Sequence, residues 1–280
     1  MVTVTVIGSV NLDIVAKAAK LPAPGETISD AVLHHFPGGK GANQALAAQR
    51  LGAQVSLVAR VGNDSSADEA LALLRDGGVD LANCKAVPDA GTGTALIAVA
   101  PSGENQIVVA PGANRALLPG DFAQPATDAM ICQLEVPVDT VAHAAQSFDG
   151  FFCVNLAPAM RVDVSVLQRA DLVVVNETES AWYGTTLSAC GGLVATTRGS
   201  GTATLEKDGE IIAEATPPAV TAVDTTGAGD TFTAALTVAL VEGQEPTEAL
   251  RFACAAGSIA TTRLGAQSSL PTRNEVDAHA

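Results

Sequence analysis

What most constrains this chain is a recurring pair: a short, nearly unbroken apolar run closed by a polar residue, followed by a helical stretch. "MICQLEVP", "GFFCVNLAP" and "ADLVVVNE" are such runs, preceded by the strand-like "VTVTVIG" and "VSLVARVG". Helical periodicity fills 41–51, "DEALALLRDGG" and "VDTVAHAAQSF", and glycines stop the first two. Strands that are apolar on both faces and alternate with helices predict an α/β fold with a central, mostly parallel sheet. Ligands of such sheets bind outside the carboxyl ends of the strands, so the polar residues closing each run are where chemistry is expected.

Residues 13–37 break the pattern. They hold Pro-Gly turns and short β-like runs but no amphipathic helix. Residues 93–110 read as a hairpin around "PSGE". Together these two segments are expected to form a small lid over the strand ends.

The stretch "DTTGAGDTF" places Gly227, Ala228 and Gly229 at the entry to a helix marked by Phe232, Ala235, Leu236, Ala239 and Leu240. Unpaired N–H groups and the helix dipole make such an entry an anion hole. Asp230 has two readings there: an ordinary N-cap, or a general base that takes the proton of an attacking hydroxyl beside a transferring phosphoryl group. Spacing leaves both open.

Four further constellations have the same double character. Asn11 and Asp13 in "GSVNLD" suit a vicinal diol if they close the first strand, or form self-capping turns. "PGGKGANQA" brings Gly39, Lys40 and Asn43 to a helix start, as ligand contacts or as a tight turn. Asn176 and Glu179 in "NETE" could hold Mg²⁺ and phosphate, or make a capping box. Glu135 ends the run in "CQLEVP", as a ligand or a solvated strand end. His34, His35, Trp182 and Tyr183 read as surface or packing residues.

A net charge of −15 disfavours nucleic acid and anionic membranes as partners. The five scattered cysteines form no CxxC pair and read as reduced thiols in a cytoplasmic protein. Neither a signal peptide nor a membrane span is expected.

The order of these motifs is more specific than any of them alone. "GSVNLD", "PGET", "GGKGANQA", "GENQIVVAPGAN", "QLEVP", "NETE", "TTRGSG", "DTTGAGDTF" and "RLGAQSSLP" resemble the series in the PfkB-type carbohydrate kinase family. "PGET" and "GAN" point to its ribokinase branch, and the resemblance spans about Val6 to Pro271.

The resemblance implies a ribokinase-like three-layer α/β/α domain over 1–280 with a small β-sheet lid. It implies transfer of phosphate from ATP to the 5-hydroxyl of D-ribose. Asp230 would be the base, and Gly227, Ala228 and Gly229 the anion hole. Asn11, Asp13, Gly39, Lys40, Asn43 and Glu135 would contact ribose, with Ala95 and Ile107 as apolar lid positions. Asn176 and Glu179 would serve phosphate and Mg²⁺, and Thr197, Gly199, Gly229 and Cys254 the nucleotide. A monovalent cation, usually K⁺, would be held at Asp224, Thr226, Ala260, Arg263, Gly265 and Ser269. A homodimer through the lid is implied.

The chain departs from the family pattern in three respects: residues 180–195 are short, Cys254 replaces a commonly polar residue, and the C-terminus stops early. The competing readings are a related kinase for 2-deoxyribose, a nucleoside or another sugar, and a non-catalytic sugar-binding protein on the same fold.

Overall fold

In the computed structural model, which describes residues 1–279, thirteen strands form two sheets. In chain order the strands are β1 Thr3–Ile7, β2 Asn11–Lys17, β3 Val32–Gly38, β4 Gln54–Gly62, β5 Cys84–Val87, β6 Gly93–Val99, β7 Asn105–Ala110, β8 Ala129–Gln133, β9 Phe151–Asn155, β10 Leu172–Asn176, β11 Leu193–Arg198, β12 Gly201–Lys207 and β13 Glu210–Ala215. The helices are α1 Lys40–Arg50, α2 Ser65–Asp76, α3 Val138–Ser147, α4 Val164–Arg169, α5 Glu177–Tyr183, α6 Ala228–Val241, α7 Pro246–Ala260, α8 Ala266–Ser269 and α9 Arg273–Asp277.

The large sheet runs β13-β12-β11-β10-β9-β8-β1-β4-β5. It is parallel from β11 through β5, and β12 and β13 extend it as antiparallel strands. The strands read as unbroken apolar runs because both faces are covered. Val4, Val6, Leu57, Ala129, Ile131 and Cys153 pack in one core with α1, α6 and α7. Ile7, Met130, Cys132, Phe152, Val173 and Val175 pack in the other, with α3 and α4. With aromatics at only 3%, α6 and α7 fill their core with alanine: Ala234, Ala235 and Ala239 meet Ala249, Ala253, Ala255 and Ala256. Small side chains let these two helices lie close, so dispersion contacts replace bulk.

The chain begins in the middle of this sheet. From β1 it builds outward to β4 and β5 on one side and, later, to β8 and beyond on the other. The crevice outside the carboxyl ends of β1 and β8 is therefore the topological switch point, the place where parallel sheets bind ligands.

The small sheet runs β3-β2-β6-β7. Its β2–β3 and β6–β7 pairs are antiparallel and β2–β6 is parallel. This corrects one expectation. Asn11 and Asp13 do not close the first strand: β1 ends at Ile7, the chain breaks over Gly8–Val10, and Asn11 opens β2 in the second sheet. The ladder from Asn11↔Gly38 to Lys17↔Val32 holds the segment there, so the insertion spans 11–38 rather than 13–37. Over 180–195, the short α5 is followed by a 3-10 turn at Gly184–Ala189 before β11. Among the described residues no helix is long and apolar enough to cross a membrane.

Candidate active site at the strand ends

The stretch that names the site from sequence also builds it. Gly227 is the N-cap of α6, with φ of 80°, a left-handed conformation that glycine adopts without penalty. Its carbonyl takes the Thr231 N–H, which fixes the turn. The N-cap reading of Asp230 is thereby overturned: Asp230 is the third residue of the helix, and its side chain caps nothing. Only 6% exposed, it instead accepts the Asn43 amide on Oδ2 at 2.8 Å and the Gln44 amide on Oδ1 at 2.9 Å. Both donors lie on α1, which Gly39 starts with φ of 89° and with no room for a Cβ against the Asn11 backbone.

A cavity of about 230 Å³ opens beside Asp230. Lys40, Asn176, Glu179, Thr197, Thr225, Gly227 and Gly229 line it, with Asn155, Ala157, Val174 and Val175 forming its floor. These come from the carboxyl ends of β9, β10 and β11 and the starts of α1, α5 and α6. Asn176 and Glu179 do make the capping box, each side chain pairing with the other's backbone N–H at 2.8 Å. The same two residues also face the cavity, so capping and ligand contact are compatible uses of one pair.

The charges in this crevice are strongly coupled. Burial pushes the Asp230 carboxyl up from its ordinary value, against the pull of Lys40 and the two amide donors. Burial likewise raises Glu179. For Lys40, burial acts to lower the pKa, but Asp230, Glu135 and Glu179 outweigh it and leave the ammonium held above its usual value. Asp13 is raised to about 7, first by burial and then by Glu135 and Asp230.

Glu135 is no solvated strand end. It crosses the switch point, accepting the Ser9 hydroxyl at 2.5 Å and the Lys40 backbone N–H at 3.1 Å. An anion at the first N–H of α1 also suits the helix dipole. Ala95 is buried and pairs in register with Asp13, whereas Ile107, on the outer strands of the small sheet, is 54% exposed. Gly199 forms the turn after β11 and lies outside the cavity lining. Cys254 also stands apart, buried with its thiol donating to the Ala215 carbonyl at 3.7 Å.

The loop before α6 and the segment after α7 are tied together through Asp224. Its Oδ1 accepts the Thr226 N–H and hydroxyl at 2.9 and 2.7 Å, and its Oδ2 accepts the Gly265 N–H at 2.9 Å. These bonds hold its carboxyl below the usual range against the effect of burial, which is the largest single influence. Ala260 is the last residue of α7, Ser269 is buried, and the Arg263 guanidinium pairs with Glu275. Among the described residues no group of three or more His, Cys, Asp or Glu is gathered as a metal cluster.

Three structural residues have no role assigned from the sequence: Asn114, Asn155 and Gln133. Asn114 donates to Asn11 Oδ1 at 2.7 Å and accepts the Val10 N–H at 2.9 Å, which ties the end of the β6–β7 hairpin to the start of β2. Asn155 and Gln133 close β9 and β8, and the rule that polar residues ending apolar strands carry the chemistry covers them both.

A parallel sheet with a helix-start cradle, buried carboxylates at its switch point and a second sheet beside them defines a site for a small hydroxylated acceptor and an anionic donor. The chain belongs to the pfkB family of carbohydrate kinases, whose family model matches residues 1–273. It is 38% identical to the ribokinase of Bacillus subtilis, with 99% of each chain covered. It superposes on the ribokinase of Thermotoga maritima with a TM-score of 0.91, at 34% identity and 99% coverage of both. It superposes on an Arabidopsis thaliana ribokinase complexed with ribose and ATP with a TM-score of 0.85, at 31% identity, covering 99% of this chain and 98% of that one.

Proposed function

We propose that this protein is a sugar kinase that transfers the γ-phosphoryl group of ATP to the 5-hydroxyl of D-ribose, giving ribose 5-phosphate and ADP. The observation that carries the reading is Asp230, a buried carboxylate held by two amides at the border of a helix-start cradle. The ribose O5–H proton passes to Asp230 as the O5–Pγ bond forms in line with the breaking bond to the β-phosphate oxygen, whose electrons leave with ADP. N–H groups at Gly227 and Gly229, which line the cavity, would receive the developing negative charge, joined by that of Ala228 once its 3.3 Å bond to the Thr225 carbonyl is released; Lys40, beside Asp230 and Glu179, would add to it. No phosphoenzyme is required.

Asn11, Asp13, Gly39, Asn43 and Glu135 form the sugar side, with Ala95 above. Asn176, Glu179 and Thr197, which line the cavity, would form the nucleotide side, with Gly199 on the adjoining turn after β11.

The residues present suit two cations. Glu179 uses only Oε2 for its cap, and its buried carboxyl beside Asp230 favours a positive charge. Asn176 and Glu179 would hold Mg²⁺, which supplies charge neutralisation for the phosphates. Asp224, Thr226, Ala260, Arg263, Gly265 and Ser269 would hold K⁺, whose charge would help order the peptides of the adjoining turn. The negative end of α7 at Ala260 and the engagement of Arg263 with Glu275 fit a cation there.

The small sheet is read as a lid that excludes water. Its Val32, Leu33, Leu96, Ile107, Val108 and Val109 are exposed, and β7 is an unpaired edge, which supports a homodimer closed lid to lid. Five free cysteines suit a reducing, cytoplasmic setting.

The test is ADP formation from ATP with Mg²⁺ and K⁺, with D-ribose, 2-deoxyribose or nucleosides added or withheld. Ribose-dependent ADP is expected. ADP only with another acceptor would move the assignment to that substrate, and sugar binding without any ADP would overturn the kinase.

A further inference from the structure

Gln44 and Gln133 take no part in the motif-based reading of the site, yet both are fully buried in a chain of hydrogen bonds that ends on Asp230. Gln44 Nε2 donates to Asp230 Oδ1 at 2.9 Å and also to Asn155 Oδ1 at 3.2 Å. Gln133 Nε2 donates to Gln44 Oε1 at 2.6 Å. Both side chains are fully enclosed by protein, so neither presents a surface to a substrate.

The direction of the chain is set by charge. An ionised carboxylate only accepts, so Gln44 must present its N–H₂ end to Asp230. Its oxygen then faces away and needs a donor, which only the N–H₂ end of Gln133 supplies. Gln133 Oε1 is left at the far end without any partner, pressed against the Gly8 backbone where a Cβ would lie 2.1 Å from it. Reversing both amides would pair that oxygen with the Gln44 N–H₂ but leave the Gln133 N–H₂ unpaired in its place, and would turn the Gln44 carbonyl toward the Asp230 carboxylate. One end of Gln133 is unpaired either way, so the acceptor-only carboxylate of Asp230 decides the polarity.

We propose that Gln133 and Gln44 are positioning residues for the base: Gln133 fixes the orientation of the Gln44 amide, and Gln44 anchors Oδ1 of Asp230. Oδ2, which Asn43 also touches, stays aimed at the acceptor hydroxyl. The relay runs across the switch point, from the end of β8 through α1 to α6, and joins the three elements whose relative placement sets the base against the anion hole. This rests on the kinase reading above.

The test is a double-mutant cycle in the full chain with Gln133→Met, Gln44→Met and the pair, measuring kcat and KM for ribose and ATP. Methionine conserves length and volume and removes the hydrogen bonds. Gln133→Met is expected to lower kcat about tenfold with both KM values within twofold, because the geometry it sets matters only in the transition state. Gln44→Met is expected to lower kcat about a hundredfold. The double variant should be no slower than Gln44→Met, since Gln133 acts only through Gln44.

Additive losses, a kcat for Gln133→Met within twofold of wild type, or KM values that rise in step with the fall in kcat would overturn the relay. If Gln44→Met does not fold, the kcat and KM values of Gln133→Met decide alone. Wild-type protein that shows no ribose-dependent ADP would sink the kinase reading itself. Normal wild-type turnover with undisturbed variants would sink only the relay.

Discussion

The site holds two aspartates in contrasting surroundings, Asp230 buried and Asp13 half-buried. Asp230, on the phosphoryl side, receives two amide hydrogen bonds and faces the Lys40 ammonium. Asp13, on the sugar side, receives no hydrogen bond among the described residues, lies against Gly38, and is pushed to about 7 by burial and by the carboxylates of Glu135 and Asp230. One carboxylate is already held by protein donors; the other has none. On the proposed kinase reading this is a division of labour in which Asp230 would serve chemistry and Asp13 would recognise the sugar's donor hydroxyls.

The sharpest way to break this contrast is Asp230→Asn, which removes the base while keeping its shape. Turnover should fall about a thousandfold, within the range for loss of general-base catalysis. A decline of less than tenfold in steady-state ADP release would return Asp230 to a structural role.

Asp13→Asn is expected to act in the opposite sense on two readouts. The kcat/KM for ribose should fall about thirtyfold or more, since an anionic acceptor is lost. The melting temperature should rise by about 2 °C or more, because the free protein no longer holds a desolvated carboxylate. Calorimetry of the two ligand-free proteins checks the second effect, and a lower melting temperature for the variant would show that Asp13 is satisfied without ligand.

The pH dependence follows from the same shift. Protonated Asp13 loses its charge and accepts only through its carbonyl oxygen, so the KM for ribose should fall as pH rises through about 7 and level off above it. For stability the sign is reversed. The folded pKa is raised above the unfolded value, so the contribution of Asp13 is full below about 4 and is lost as pH rises through about 7. The melting-temperature gap between wild type and Asp13→Asn should therefore open on raising pH from 5 to 8, roughly the window that brackets this titration. A gap that stays constant would remove the titration from Asp13.

Asn114→Ala should have the smallest effect. It leaves Asn11 Oδ1 and the Val10 N–H unpaired at the root of the small sheet. A loss of about 1–3 kcal/mol in stability is expected, with a severalfold rise in the KM for ribose and little change in kcat. Chemical denaturation and steady-state kinetics separate those two outcomes.

How far the sequence reaches is visible in the same two corners. The parallel core was legible because burial on both faces leaves unbroken apolar runs, as in "LVVVN". The helix-start turn was legible because Gly227 and the period after it are local signals. The position of Asn11 was misread because Gly8–Val10 looks locally like the end of a strand, while the Asn11↔Gly38 pairing that moves it to the second sheet is nonlocal.

Asp230 could not be separated from an N-cap by spacing. Its partners Asn43 and Gln44 lie nearly two hundred residues earlier. Gln133 and Asn155 fall under the strand-end rule and Asn114 lies in "GAN", but their partners were invisible for the same reason: a polar residue in or after a buried strand shows its use only when its partner is known. The antiparallel β12–β13 extension mixes exposed and buried residues without an unbroken apolar run and gives no parallel-sheet signal.

The division of labour is tested most directly by titrating ribose into Asp230→Asn and Asp13→Asn by calorimetry, without nucleotide, at pH 8. The account predicts that ribose binds Asp230→Asn within about threefold of wild-type affinity and binds Asp13→Asn at least about thirtyfold more weakly, the loss of one charge-assisted hydrogen bond. Equal weakening in both variants, or a larger loss in Asp230→Asn, would contradict it.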